Sequence, residues 1–499
     1  MDELVPLRDA TLGQIPSHVK VPNYNRSGLS AGIVHIGLGN FHRAHQAWYL
    51  HRLMEMGLAH DWAIVGAGVR PADAIQRERL LAQDCLTTLI ELDPSGKSAE
   101  ITGSMIDFVP VEPNNASLIE RMTQPDIRIV SLTVTEGGYY TDPATGGFDA
   151  SHPDIVHDGA NPNAPRTAFG AMVAALKRRR DTGIGPFTAL SCDNLQGNGA
   201  ILHLTIVSLA ELSDPELASW IDKNCTFPNS MVDCIVPATG RHELALAHNF
   251  GVDDVAPVTH ENFRQWVIED SFCAGRPDWD MVGATFSDQV HAYEAMKLRV
   301  LNGGHQIVSI PGDLLGIETI SDSMSHVGIR GFFNQTMIQE IVPNVRPVEG
   351  MTPSAYLDLI ERRFSNPEII DTTRRVAFDG SSRQSGFIVP SIRDALANGH
   401  PVECLALMSA LWMRYCLGIR EDGSKIAPND PSAGGLKSAA QISLKKPIFW
   451  ISQQKYFGDL ANNVRFAAAF ERSVETLKDR GVSQALGQIS DKMEATATR

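Results

Sequence analysis

Gly32-Ile33-Val34-His35-Ile36-Gly37-Leu38-Gly39-Asn40-Phe41-His42 decides how the rest of the 499-residue chain is read. An apolar run of strand type enters a glycine turn, and a helical pattern leaves it. Gly37 supplies the tight turn, and Gly39 lets the backbone approach a pyrophosphate, whose charge is favoured at a helix N-terminus. The third glycine of the dinucleotide fingerprint is missing, with His42 in its place. A bare G-x-G is a weak signal. Its position after the first strand of an α/β pattern is what makes it a dinucleotide site, with Gly37, Gly39, Asn40 and Phe41 expected against the cofactor.

That α/β pattern runs through the first 290 residues. Gly32–Ile36, Ala63–Ala67, Ile127–Val134 and Phe187–Ser191 read as strands, several apolar throughout, as parallel strands covered on both faces are. Phe41 to Met56, Ala72 to Gln83 and Thr167 to Arg180 read as the helices between them, giving an open α/β sheet of Rossmann type. Later the pattern changes. Cys404, Leu405, Met408, Leu411, Trp412 and Tyr415 form an apolar stripe at helical period, and Phe466, Phe470, Val474 and Leu477 form another. Two domains follow: a dinucleotide-binding domain over 1–290 and a mostly helical substrate domain over 291–499. The Gly/Pro/Asp-rich stretch Cys273–Val282 is expected to lead from one to the other.

The acidic residue that binds the ribose hydroxyls should follow the second strand. Asp73 is the candidate, although it lies 36 residues beyond Gly37, farther than the usual ~20. Asp73 favours NAD, whereas Arg70 offers a partner to a 2′-phosphate, so the sequence leans to NAD without excluding NADP.

Composition removes other classes. Lys plus Arg number 43 against 58 Asp plus Glu, a net charge of −15 that argues against a nucleic-acid groove. The basic run Lys177–Arg180 ends a helical stretch, where cations suit the C-terminus. No run of 18 apolar residues spans a membrane, and the acidic start Met1-Asp2-Glu3 is unlike a signal peptide. Seven scattered cysteines, with no Cys-x-x-Cys pair, point to the reducing cytosol rather than to a disulfide framework. Metal ligation is not expected. His42 and His45 lack a spaced carboxylate or thiol partner, and His242-Glu243 is followed by Leu246 where a zinc helix needs a second histidine. Both halves read as self-sufficient, which is compatible with a monomer.

The stretch Ala292–Ile307 carries Lys297, Asn302 and His305. At about 100° per residue these fall at about 0°, 140° and 80° on a helix, within one sector. Gly303 and Gly304 cost roughly 1 kcal/mol each in a helix interior, which makes sense if something approaches that helix closely. The chemistry such a set supports is alcohol oxidation. A desolvated lysine acts as general base on the hydroxyl, and neutral amides hold the developing alkoxide. On spacing alone, a solvated lysine and a polar patch remain the alternative.

Three motifs together resemble the polyol-specific long-chain dehydrogenases, the mannitol dehydrogenase family. They are Gly37-Leu38-Gly39-Asn40-Phe41-His42-Arg43-Ala44-His45-Gln46, Thr135-Glu136-Gly137-Gly138-Tyr139 and Lys297-x4-Asn302-x2-His305. The similarity extends to Ser191-Cys192-Asp193-Asn194 and Asp379-Gly380-Ser381-Ser382-Arg383. The resemblance implies a Rossmann-type domain followed by a helical domain, with the active site in the cleft between them. It implies zinc-independent chemistry with Lys297 as acid/base, Asn194 and Asn302 as the oxyanion pocket and His305 on the substrate. Asp233, Arg375 and Arg383 would contact substrate hydroxyls, and Glu136 would exchange protons near Lys297. Without the resemblance, Asp193-Asn194 reads as a helix cap, Asp233 as an edge-strand solvating group and Arg375 as surface charge. The implied reaction interconverts a hexitol or pentitol with its ketose, D-mannitol and D-fructose foremost. The rival within the family is a hexuronate reductase, in which a lysine is expected where this chain has Gly137. A rival of another class is a dinucleotide sensor without turnover.

Overall fold

All six residues of the strand Ala31–Ile36 are buried, the condition expected of a strand covered on both faces. In the computed structural model, which describes residues 4–142 and 146–497 (the side chains of Glu136 and of 488–497 excepted), this strand centres a five-stranded parallel sheet. The strand order is Met105–Phe108, Ala63–Ala67, Ala31–Ile36, Ile129–Leu132, Thr188–Ser191. Numbered along the chain, that is the doubly wound order 3-2-1-4-5. The order reverses between Ala31–Ile36 and Ile129–Leu132, and the glycine turn emerges at the carboxyl edge of that switch.

Alternation along the strands builds two cores. Val34, Val65 and Val130 face one way, onto Phe169, Met172 and Leu202. Ile33, Ile64 and Ile129 face the other, onto Leu50, Leu53, Trp266 and Trp279. The helices Ala168–Asp181 and Asp73–Leu81 form where the apolar period places them. The helix expected over Phe41–Met56 is broken at His45 (φ −119°, ψ −95°) into Asn40–Ala44 and Gln46–Glu55. The break turns both His42 and His45 into the interior, where a single helix would present them differently. Strands with no parallel-sheet signature complete the unit. Thr87–Asp93 and Gly96–Thr102 pair antiparallel within a four-stranded sheet, and Ser230–Asp233 pairs antiparallel with Gln265–Ile268.

The chain divides into two compact units, Met1–His291 and Ala292–Arg499. Cys273–Val282, expected as the lead into the second, belongs to the body of the first. Its Trp279 is fully buried with its ring centroid 4.6 Å from that of Trp266.

The second unit is helical. Gly303–Leu314 is buried at every position but His305, and packs on Val327–Thr336, Thr373–Val376 and Glu403–Cys416. Both apolar stripes lie on helices, Glu403–Cys416 and Val464–Ala497, which pack on one another. Three π-helical turns, Lys297–Asn302, Met337–Ile341 and Gln384–Ile388, interrupt the α-helices, and the first packs on the other two. Among the described residues no helix is long and apolar enough to cross a membrane.

Candidate active site

At the switch point of the first unit, the glycine turn, the end of Ile129–Leu132 and the segment after Thr188–Ser191 enclose a cavity of ≈ 370 Å³. Gly37, Gly39, Asn40, Phe41, Asp73 and Asn194 line it. Gly37 has φ +92°, and a Cβ there would stand 2.1 Å from the Thr133 carbonyl oxygen, so only glycine closes this turn. Gly39 differs. Its backbone is extended (φ −97°, ψ −171°), and a Cβ would meet nothing nearer than 4.0 Å. The wall is open at Gly39, which fits the close approach of a pyrophosphate.

The flanking residues are held by their own partners. Asn40 donates to the Pro237 carbonyl and to Thr239 Oγ1 and accepts from Arg43, so it ties the turn to the 237–239 segment. Phe41 stacks on His45 at 4.8 Å. Asp73 Oδ2 accepts the Val69 and Arg70 N–H groups (3.1 and 3.0 Å), and Arg70 Nη2 lies 3.3 Å from Oδ1. This fixes a carboxylate in the cavity wall beside a mostly exposed guanidinium. Gly68 is what admits it, since a Cβ there would lie 2.3 Å from Asp73 Cβ. A glycine wall, a fixed carboxylate and an adjacent cation suit a nicotinamide dinucleotide.

Asp193 is not a helix cap. Its carboxylate accepts the Val134 and Thr135 N–H groups, both at 3.0 Å, and the Tyr139 hydroxyl at 2.7 Å. Thr135 has φ +70°, a costly conformation for a β-branched residue, and the Asp193 clamp holds it there. Burial and the Asp193 charge push the Tyr139 phenol well above its ordinary value, so it stays a donor. Asn194 follows this clamp and lines the cavity, with its side chain exposed. Cys192 also lines it, and burial raises its thiol, leaving it neutral. Thr133, Thr135 and Val232 are further lining residues the sequence reading missed. The signal for Thr133 and Thr135 was their place just past the fourth parallel strand, beside the switch point. Asp233 ends an edge strand, as its solvating alternative requires, yet it is buried.

In the second unit Lys297 is 6% exposed and opens the π-turn that Asn302 closes. Closure from i to i+5 brings residues five apart onto one face, as i to i+4 closure does for residues four apart. Lys297 and Asn302 therefore lie closer in angle than the α-helical wheel places them. Asn302 Oδ1 is buried with no hydrogen-bond partner in the protein, an acceptor left open to a donor such as a ligand hydroxyl. His305 stacks on Phe364, centroids 4.3 Å apart and planes at 15°. The close approach foreseen at the two glycines is real at Gly304, where a Cβ would meet Met337 and Phe333 at 3.0 Å and Phe364 at 3.2 Å. At Gly303 a Cβ would make only ordinary contacts, the nearest with the Leu298 carbonyl oxygen at 3.6 Å. Arg375 forks onto Asp371 (2.7 and 2.6 Å) with 60% of its side chain exposed, and Arg383 donates to the Val376 carbonyl at 2.6 Å. Glu136 lies in a short 3-10 turn, and its side chain falls outside the described ones. Among the described residues, no three His, Cys, Asp or Glu side chains form a group that could hold a metal ion.

Comparison with known proteins covers both units. Residues 31–281 match the mannitol dehydrogenase Rossmann domain and residues 289–478 the mannitol dehydrogenase C-terminal domain. The chain is 54% identical to a mannitol 2-dehydrogenase of Cereibacter sphaeroides, over 93% of this chain and 97% of that one. It is 40% identical to one of Pyricularia oryzae, over 94% and 95%. Among solved structures, the Pseudomonas fluorescens mannitol 2-dehydrogenase in ternary complex with NAD and D-mannitol matches with a TM-score of 0.88 at 39% identity, covering 98% of this chain and 100% of that one. A substrate-free D-sorbitol dehydrogenase matches with a TM-score of 0.86 at 33% identity, over 96% and 99%.

Proposed function

Since the chain belongs to the mannitol dehydrogenase family, we propose that it is an NAD-dependent polyol dehydrogenase interconverting D-mannitol and D-fructose without a catalytic metal. The observation that carries this reading is the likeness, over 98% of the chain, to a mannitol 2-dehydrogenase solved with NAD and D-mannitol. Bound NAD supplies the acceptor for the hydride that leaves the carbinol carbon. Gly37, Gly39, Asn40 and Phe41 would hold it at the turn, the open wall at Gly39 taking the pyrophosphate. Asp73 would take the ribose hydroxyls, and its fixed carboxylate opposes a 2′-phosphate, which supports NAD over NADP.

In oxidation the alcohol loses a proton as well as a hydride. Lys297 Nζ would accept that proton, and would return it in ketose reduction. The amides of Asn194 and Asn302 would donate hydrogen bonds to the oxygen as its charge develops. The place of Asn302 at the end of the π-turn limits the reorganisation its part requires. His305, its ring oriented by Phe364, would fix the reacting hydroxyl. Asp233 would accept from another substrate hydroxyl, Arg375 and Arg383 would donate, and Glu136 would pass protons to solvent. The same reading makes the protein a cytosolic enzyme, in keeping with seven free cysteines, active as a monomer.

Initial rates on D-mannitol, D-arabinitol, sorbitol and mannonate, each with NAD⁺ and NADP⁺, test the proposal. Fastest turnover on D-mannitol with NAD⁺ is expected. Preference for mannonate would favour a hexuronate reductase, and absence of turnover with normal NADH binding would favour a sensor.

A further inference from the structure

His35, on the central strand, is wholly buried, and both its nitrogens are engaged: Nδ1 lies 2.8 Å from Ser131 Oγ and Nε2 2.9 Å from Thr133 Oγ1. Ser131 Oγ is 2.7 Å from the amide of Gln46, and Thr133 Oγ1 donates to the Gly37 carbonyl at 2.7 Å. That carbonyl also takes the Gly39 N–H at 2.8 Å, closing a three-residue turn. The Gly37 N–H is held separately by the Ala67 carbonyl at 3.0 Å, and the Gly37 carbonyl is the point where the Thr133 hydroxyl reaches the turn from the interior.

The chain of bonds has a direction. Thr133 has one hydroxyl proton and gives it to Gly37, so its oxygen accepts from Nε2–H of His35. Burial pushes His35 down to about 3, so the imidazole is neutral and Nδ1 carries no proton. Nδ1 therefore accepts from Ser131, whose hydroxyl also lies within donating distance of Gln46 Oε1 at 2.7 Å. His42 covers the imidazole, ring centroids 3.4 Å apart and planes at 15°, and has no hydrogen-bond partner of its own in the protein. Burial and the neighbouring histidines and Arg43 hold His42 well below its ordinary value too, so the stack carries no charge at neutral pH. Gly37 and Thr133 line the cavity, whereas His35, Ser131 and Gln46 do not.

We propose that His35 is a positioning residue for the dinucleotide, fixing the Gly37–Gly39 turn through Thr133 in the conformation that receives a pyrophosphate. Glycine backbone is the most mobile in the chain, and holding it before the ligand arrives removes an ordering cost from binding. This inference rests on the dinucleotide-binding reading above, and predicts an effect on cofactor affinity rather than on turnover.

NADH fluorescence titration and steady-state kinetics of His35→Leu, Thr133→Val, Thr133→Ser and the double variant His35→Leu/Thr133→Val test it. His35→Leu raises the NADH Kd about tenfold, with kcat at saturating NADH within about twofold of the parent, and Thr133→Val, at the cavity wall, raises Kd by about the same factor. The double variant is also about tenfold weaker, because both substitutions cut one chain. Thr133→Ser, which keeps the hydroxyl, stays within about twofold. Should His35→Leu not fold, Ser131→Ala cuts the chain one link earlier and raises Kd about threefold. An unmoved Kd in folded His35→Leu, an approximately hundredfold loss in the double variant, or a kcat that falls as far as Kd rises would overturn the proposal. If the parent protein bound no NADH, the dinucleotide reading itself would fall, and this proposal with it.

Discussion

Alanine at Gly37 and at Gly39 separates a glycine required by the fold from one required by the ligand. At Gly37 a side chain meets φ +92° and a contact of 2.1 Å with the Thr133 carbonyl oxygen. A left-handed backbone costs about 1–2 kcal/mol and overpacking about 1–3, so Gly37→Ala should lose roughly 2–5 kcal/mol. At Gly39 the backbone is ordinary for any residue and the space is open to 4.0 Å. Gly39→Ala should leave stability unchanged or raise it by about 0.4–1 kcal/mol, through a less flexible unfolded chain. Its cost appears only when a pyrophosphate occupies the open wall, as a ten- to hundredfold rise in NADH Kd, about 1.4–2.8 kcal/mol. Urea unfolding and NADH titration on both variants give the two readings. A Gly39→Ala variant that binds NADH within twofold of the parent, or that unfolds as early as Gly37→Ala, would refute this division of roles.

Asp193→Asn leaves one oxygen and an amide N–H facing donors that the carboxylate now satisfies. About 2–3 kcal/mol of stability should go, with weaker NADH binding, and an unchanged urea midpoint would contradict the clamp. Glu340 is buried beneath the start of Glu403–Cys416, accepting the Cys404 and Leu405 N–H groups at 2.8 Å, and burial raises its carboxyl from 4.5 to about 7. The folded state thus keeps a proton that the unfolded chain loses above 4.5. This contribution to stability is complete below pH 4.5 and disappears as pH rises through 7, a change of about 3 kcal/mol. The stability of the parent relative to Glu340→Gln should therefore fall by about 3 kcal/mol over that interval, and a constant difference would contradict it. Dialysis against EDTA should leave polyol oxidation within twofold of the untreated rate, and loss restored by Zn²⁺ would overturn metal-free chemistry.

The parallel sheet was legible because its strands are apolar on both faces, and Gly32–Ile36 and Ala63–Ala67 lie within a residue of the observed strands. Thr87–Asp93 and Gly96–Thr102 were not, since their mixed polarity follows a hairpin of a different sheet. The break at His45 was hidden because no proline or glycine marks it; burial of two imidazoles and contacts with the Gln265 segment pull the helix apart. The π-turn escaped although Gly303 and Gly304 follow it, because its i to i+5 closure changes the angle of Asn302 while the apolar spacing still reads as an α-helix. Motif residues around Gly37 and Lys297 could be named from order along the chain. The Asp193 clamp and the His35 chain could not, because each joins residues more than fifty positions apart.

The central claim is that the Lys297 amine moves the proton that accompanies hydride transfer, and Lys297→Ala tests it most directly. With NADH binding within a few-fold of the parent, kcat for D-mannitol oxidation should fall at least ~10²-fold, the lower range for loss of a general base. A kcat within a few-fold of the parent, at equal NADH affinity, would contradict it.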